Sequence, residues 1–204
     1  MKHELRNIFP EPERKRSVNE FVEWYEKGVQ ELQKNPSLFR QEILSSKRDS
    51  KNCPTAKRLK EETGALYNLL KDTSFGFRSC FVEPNWGNQP FDVKIDGHKQ
   101  YKYVEIVSVG AFQEKETENS FKTFGLEVVD PIVHNIEKAI EHKKGKNYGQ
   151  HYALLVYYNN EQILAKPWRE KLCKQLMQKN ISHGCFIDIF ITGFSMGASV
   201  LKLP

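Results

Sequence analysis

Long apolar runs are missing from this 204-residue chain. No stretch approaches the roughly 18 to 20 residues needed to span a bilayer, and Met1 to Arg6 has no apolar core of the kind a secretory signal carries. The expectation is an intracellular, cytoplasmic protein that does not enter a membrane. Cysteine is sparse and scattered. Cys53, Cys80, Cys173 and Cys185 form no Cys-x-x-Cys pair, and the six histidines do not supply zinc-finger spacing; a structural zinc site and a disulfide framework are both disfavoured. Cys80 and Cys185 sit in apolar segments, where a free thiol acts as a small core residue. There is no internal repeat, no low-complexity tract and no glycine-rich phosphate loop. Gly193-Phe194-Ser195-Met196-Gly197 matches the Gly-x-Ser-x-Gly pattern. Too little chain follows it, however, to supply the acid and histidine that a serine hydrolase places after its nucleophile.

What is present is a globular balance of 39% hydrophobic and 28% charged residues, enough for one substantial core. The net charge of +5 is a mild excess that permits nucleic-acid binding without requiring it. Its distribution says more. Lys47, Arg48, Lys51, Lys57, Arg58 and Lys60 are opposed only by Asp49, and Lys138, Lys143, Lys144 and Lys146 gather at the end of a later helix. Such clusters suit a phosphate backbone; they equally suit a solvated face and the negative end of a helix dipole.

Along the chain, Ser17 and Glu20 form a capping-box signal. Phe21, Trp24, Tyr25, Val29 and Leu32 then repeat at helical spacing until Asn35-Pro36. The aromatic stripe reads as packing, with a dimer contact or a DNA-contacting arm as the other use of Trp24 and Tyr25. A second helix is expected from Thr55 to about Leu70, with Glu62 along its buried stripe and Glu61 turned to water. Three strands are expected next: Phe75 to Val82, Pro90 to Ile95 and Tyr101 to Val109, with Asp96-Gly97 as a hairpin turn. In the middle one, alternation puts Phe91, Val93 and Ile95 on one face and Asp92 and Lys94 on the other. A helix from about Val128 to Lys144, a doubly buried strand from His151 to Tyr158, a helix from Pro167 to about Met177, a buried strand from Cys185 to Thr192 and a short edge strand near Ser199 to Leu203 complete the order. Helices and strands so alternated indicate a mixed α/β sandwich.

The acids carry the chemical information. Glu105 interrupts the otherwise apolar Tyr103 to Val109, and a carboxylate buried without a partner costs several kcal/mol, so it demands a cation, a donor or water. Asp92 lies on the neighbouring strand and Glu62 on a packed helix. Two or three such carboxylates suit a hard divalent ion, which prefers oxygen ligands and keeps several waters. A bound Mg²⁺ acidifies its water and neutralises charge building on a phosphate, which is what phosphodiester cleavage needs. A lysine beside the ion stabilises the transition state or helps orient the water. An ion pair of Glu105 with Lys94 or Lys102 is the structural alternative.

This pattern resembles the PD-(D/E)XK, or restriction-endonuclease-like, nuclease superfamily. The proline-aspartate element is similar to Pro90-Phe91-Asp92 with one residue inserted, and the second acid matches Glu105 in Glu105-Ile106-Val107. The acid on the first core helix corresponds to Glu62. The segment from Ile136 to Tyr148, followed by Leu154 to Tyr158, also looks like members of this family with a lysine-rich helix before the fourth strand. The resemblance implies an αβββαβ core over about Thr55 to Tyr158, within a domain at residues 55–204, preceded at 1–54 by a helical extension and basic connection. It implies a Mg²⁺- or Mn²⁺-dependent endonuclease acting on DNA rather than RNA, with a homodimer as a possible state. Asp92, Glu105 and Glu62 would hold the metal, and Lys47, Arg48, Lys51, Lys57, Arg58, Lys60 and Lys144 would contact nucleic acid. The family's lysine is replaced by Val107. Lys143 takes its place most readily, because it continues the stripe Val129, Ile132, Ile136, Ile140; Lys94 and Lys102 are the alternatives. If no lysine serves, the same fold becomes a non-catalytic module that binds nucleic acid or protein.

Overall fold

The computed structural model describes residues 7–34, 61–85, 90–109, 129–146, 148–158, 168–179, 181–193 and 196–204. Among these residues seven strands form one mixed sheet whose spatial order is the chain order: β1 (Arg16–Ser17), β2 (Phe81–Pro84), β3 (Val93–Asp96), β4 (Tyr103–Ser108), β5 (Tyr152–Tyr158), β6 (Asp188–Gly193) and β7 (Leu201–Lys202). The pairs from β1 to β4 are antiparallel, β4–β5 and β5–β6 are parallel, and β6–β7 is antiparallel. Among the described residues four α-helices accompany the sheet: α1 (Val18–Lys34), α2 (Thr63–Lys71), α3 (Val129–Lys144) and α4 (Trp168–Gln178). The chain is therefore an α/β protein, as its alternating pattern predicts. Among the described residues, no helix is long and apolar enough to cross a membrane.

Two apolar layers sandwich the sheet. Phe21 and Tyr25 of α1 and Leu66, Leu69 and Leu70 of α2 pack with Val104, Ile106, Leu155 and Tyr157 on one face. Ile132, Ile136 and Ile140 of α3 and Leu172 and Leu176 of α4 pack with Leu154, Val156, Ile189 and Ile191 on the other. All seven residues of β5 are buried, because consecutive residues point to opposite faces and both faces are covered. Parallel neighbours need a crossover, and α3 and α4 supply the two that flank β5.

The expected N-terminal capping box of α1 is formed. Ser17 N–H donates to Glu20 Oε2 (2.8 Å) and Glu20 N–H donates to Ser17 Oγ (3.3 Å), so each satisfies an amide the helix leaves open. The aromatic stripe of α1 is packing: Trp24 contacts Phe9 and Phe21, and Tyr25 contacts Tyr67 of α2.

Several boundaries differ from expectation. The strand expected over Phe75 to Val82 begins only at Phe81; before it, Thr73–Phe75 and Phe77–Ser79 form single 3₁₀ turns around Gly76, whose φ is 79°. Aromatic content signals burial there, and Phe77 is buried, but a left-handed glycine cannot continue a strand ladder. The Asp96-Gly97 turn is longer than a two-residue hairpin. Gly97 does adopt φ 94°, yet pairing resumes only with Ile95 N–H donating to Lys102 O (2.8 Å). His98 holds the loop between, its Nδ1 accepting from the amides of Gln100 and Tyr101 (3.1 Å each).

Candidate functional site

The segment before β3 departs from simple alternation. Val93 is the residue paired with Val104, and Asp92 N–H also donates to Val104 O (3.2 Å). Two residues of one strand thus share one partner, which is a β-bulge, and a bulge re-aims the side chains beyond it. Phe91, expected beside Val93 and Ile95, instead packs against Tyr103 on the α3 face (centroids 4.9 Å apart). Asp92 lines a small cleft with Val93, Pro84, Ile106, Leu66, Thr63 and Glu62. Its Oδ2 accepts the N–H of Ile106 (2.7 Å), replacing the ladder carbonyl that the end of β3 no longer offers.

Glu105, next to that amide, points to the other face. It is 6% exposed. Its Oε1 accepts from the ammonium of Lys143, in the last turn of α3, and from the hydroxyl of Tyr148 (2.9 Å). The cation that the buried acid demanded is thus Lys143, not Lys94 or Lys102; Lys94 pairs with Asp96 (3.5 Å). The helical stripe places Lys143 correctly, since Ile136 and Ile140 are fully buried one and two turns earlier and carry that face down onto the sheet. Tyr148 escaped notice because it follows the helix, where periodicity carries no information. Its only sequence signal is an aromatic residue just ahead of a buried strand. Burial pushes the Tyr148 phenol above its ordinary range, and the bond and charge of Glu105 and then the charge of Asp92 push it further. It is therefore a neutral donor at neutral pH.

Glu62 shares the cleft with Asp92 as its place on the stripe predicts, but Glu61 is not turned to water. Tyr157 of β5 donates to Glu61 Oε2 (2.8 Å), and burial, followed by the Glu61 charge, raises the Tyr157 phenol. Residues 61 and 62 are wound in a π-type turn, so the spacing of about 100° per residue that turned Glu61 away from the core does not hold there.

The described residues thus bring together Glu105, Lys143 and Tyr148 on one side of β4, and Asp92 with Glu62 on the other. Asp92 is bonded to the amide that follows Glu105. Among the described residues, no three acidic, histidine or cysteine side chains meet as a group able to hold a metal ion. Of the basic residues proposed to contact nucleic acid, Lys47, Arg48, Lys51, Lys57, Arg58 and Lys60 lie outside the described residues. Lys144 is committed locally: its ammonium bonds Glu141 (2.6 Å), its side chain is 13% exposed, and its stem packs where a Cβ on Gly184 would stand 2.9 Å away.

No protein-family model matches the chain, no curated protein is similar to it, and no solved structure matches it.

Proposed function

We propose that the chain is a metal-dependent nuclease that hydrolyses phosphodiester bonds, in DNA rather than RNA, with Asp92 and Glu105 as acids and Lys143 as the lysine. The observation that carries this reading is the pairing of Lys143 with Glu105, one peptide from the amide that Asp92 accepts. Two carboxylates and an ammonium are the groups that such hydrolysis needs, and Val107 leaves the usual strand position empty of a lysine. The element order α2–β2–β3–β4–α3–β5, with β4 antiparallel to β3 and parallel to β5, supports a restriction-endonuclease-like arrangement. The acids do not form one donor set for a hard cation such as Mg²⁺ or Mn²⁺: Asp92 and Glu62 line one cleft, Glu105 lies across β4 on Lys143 and Tyr148, and among the described residues no three such side chains meet as a group able to hold a metal ion. Asp92 and Glu62 would be the carboxylates to hold an ion in the cleft, with water in its remaining positions, while Glu105 stays paired with Lys143 across β4. Bound there, it would supply an acidified water and charge neutralisation at the phosphate. Lys143 contributes a fixed positive charge, and Tyr148 keeps the Glu105 carboxylate in one orientation.

The absence of a three-carboxylate group among the described residues, with Glu105 already neutralised, favours a second reading. In it the same fold binds nucleic acid or a protein partner and cuts nothing. A cleavage assay separates the two. Plasmid and oligonucleotide substrates are incubated with the purified chain in Mg²⁺, Mn²⁺ or EDTA, beside Asp92→Asn and Glu105→Gln, which keep an acceptor for Ile106 and Tyr148. Metal-dependent cutting lost in both variants, with circular dichroism unchanged, supports the nuclease. Binding without cutting supports the second reading, and cutting that survives both substitutions removes these acids from the mechanism.

A further inference from the structure

His98 lies in the connection between β3 and β4, and three backbone groups fix where its hydrogen sits. Nδ1 accepts the amides of Gln100 and Tyr101 (3.1 Å each), so it carries none. Nε2 stands 3.1 Å from Phe75 O; a carbonyl only accepts, so the hydrogen is on Nε2. The ring packs against Phe77 and Tyr101, with centroids 4.8 and 4.4 Å away. A second proton would have to go on Nδ1, where it would face two N–H donors and find no acceptor. The imidazolium does not fit the closed loop.

Charged groups on the surrounding elements supply no counter-charge to the ring. Asp72, ahead of the 3₁₀ turns, bonds Ser74, and Asp96 bonds Lys15 and Lys94. Asp188 of β6 bonds Tyr101 and Lys202. Arg78 and Lys99 are exposed cations, and burial holds the Cys80 thiol neutral. His151 touches the same loop in the opposite sense. Its Nδ1 stands 3.0 Å from Gln100 O, a contact that requires the hydrogen there and survives when that ring is charged.

We propose that His98 is a pH-sensitive joint: on protonation it releases the Gln100 and Tyr101 amides, and residues 98–100 open between two fixed ends. One end is Gly97, whose φ of 94° turns the chain out of β3. The other is Tyr101, which is 3% exposed and bonded through its hydroxyl to Asp188. The closed loop takes only the neutral ring, whereas an imidazole released to water is protonated below about pH 6.5. Closure is therefore strongest above that value and is lost as pH falls through it. With the second proton excluded from the closed form, opening becomes up to about 30-fold more favourable between about pH 7.5 and 5.0. The joint is independent of the metal-dependent reading above.

Amide hydrogen exchange of the whole chain, read by NMR and corrected for intrinsic rates, tests this at about pH 7.5 and 5.0. Leu155 in the fully buried β5 is the internal reference. Wild type is expected to lose at least about tenfold of its protection at Gln100 and Tyr101 on acidification, while Leu155 loses less than about threefold. His98→Asn keeps a side-chain oxygen that accepts the amide two residues on and does not titrate, so its loop protection is expected to be equal at both pH values. His151→Gln is expected to keep the wild-type loss. A smaller loss in wild type overturns the inference, as does a loss that persists in His98→Asn or vanishes in His151→Gln. An equal loss at Leu155 overturns it too, because the opening is then global. A second measurement needs only the wild-type fold. Imidazole ¹⁵N spectra near neutral pH, with His98 assigned by its contacts to the Phe77 and Tyr101 rings, are expected to show hydrogen on Nε2 alone; hydrogen on Nδ1 overturns the inference.

Discussion

Removing the Lys143 side chain without metal should expose how strongly the buried pair is coupled. Glu105 and Lys143 are both about nine-tenths enclosed (side chains 8% and 12% exposed), so solvent screening does little to weaken their attraction. Deleting one partner of such a pair costs about 3–5 kcal/mol, because the other charge stays buried. Tyr148 still donates to Glu105 Oε1 in Lys143→Met, which puts the expected loss at the low end, about 3 kcal/mol. Glu105→Gln keeps the acceptor for Tyr148 and strands only Lys143. The four-carbon stem of that lysine, at the end of α3, can carry its ammonium to water, so about 2 kcal/mol is expected. The double variant contains neither charge and should also lose about 2 kcal/mol, leaving a coupling of about 3 kcal/mol between the two sites. Urea unfolding in EDTA reads this directly: with a slope of about 2 kcal/mol per molar urea, Lys143→Met lowers the midpoint by about 1.5 M. Additive losses, with a coupling below about 0.5 kcal/mol, would show that the pair is not formed and would refute the geometry on which the site is built.

Gly28→Ala should destabilise, although alanine favours a helix by about 1 kcal/mol. A Cβ there would stand 2.1 Å from Phe9 Cε1, and Phe9 is held by Trp24 and Tyr25. A net loss of about 1–2 kcal/mol in chemical denaturation is expected from overpacking, and Phe9→Leu in the same chain should relieve part of it; a more stable Gly28→Ala would contradict this packing. Ser17→Ala should cost about 1 kcal/mol through the lost cap, lowering the thermal midpoint by about 2–4 °C for a chain of this size. An unchanged midpoint would mean the capping box contributes nothing. Glu26 accepts from Lys71 (2.7 Å) and from Tyr67 (2.6 Å), and these bonds, Lys71 first, hold its carboxyl below the ordinary value of 4.5. A depressed folded value stabilises above the unfolded one and is lost as pH falls through it. Stability should therefore fall less steeply below about pH 4.5 in Glu26→Gln than in wild type when unfolding is followed against pH; identical slopes would show that the contact is not made in solution.

Sequence by itself determined the elements that repeat. The capping box at Ser17 and Glu20, the stripe of α3, the doubly buried β5 and the order of helices and strands are all local or periodic properties, and local chemistry is enough to read them. The demand for a cation at Glu105 was legible too, because an acid inside an apolar strand has a known cost, and the stripe through Ile136 and Ile140 pointed Lys143 toward the same sheet. Tertiary structure alone decided how these parts meet. The bulge at Asp92 depends on which residue of β4 pairs with Val93, so its turn toward Glu62 was invisible along the strand. Glu61 reaches Tyr157 from the π-type turn that precedes α2, where helical spacing does not hold. Tyr148 joins Glu105 from a connection with no periodicity at all. Pattern reads what each segment prefers; register and packing across segments settle which side chains share an atom.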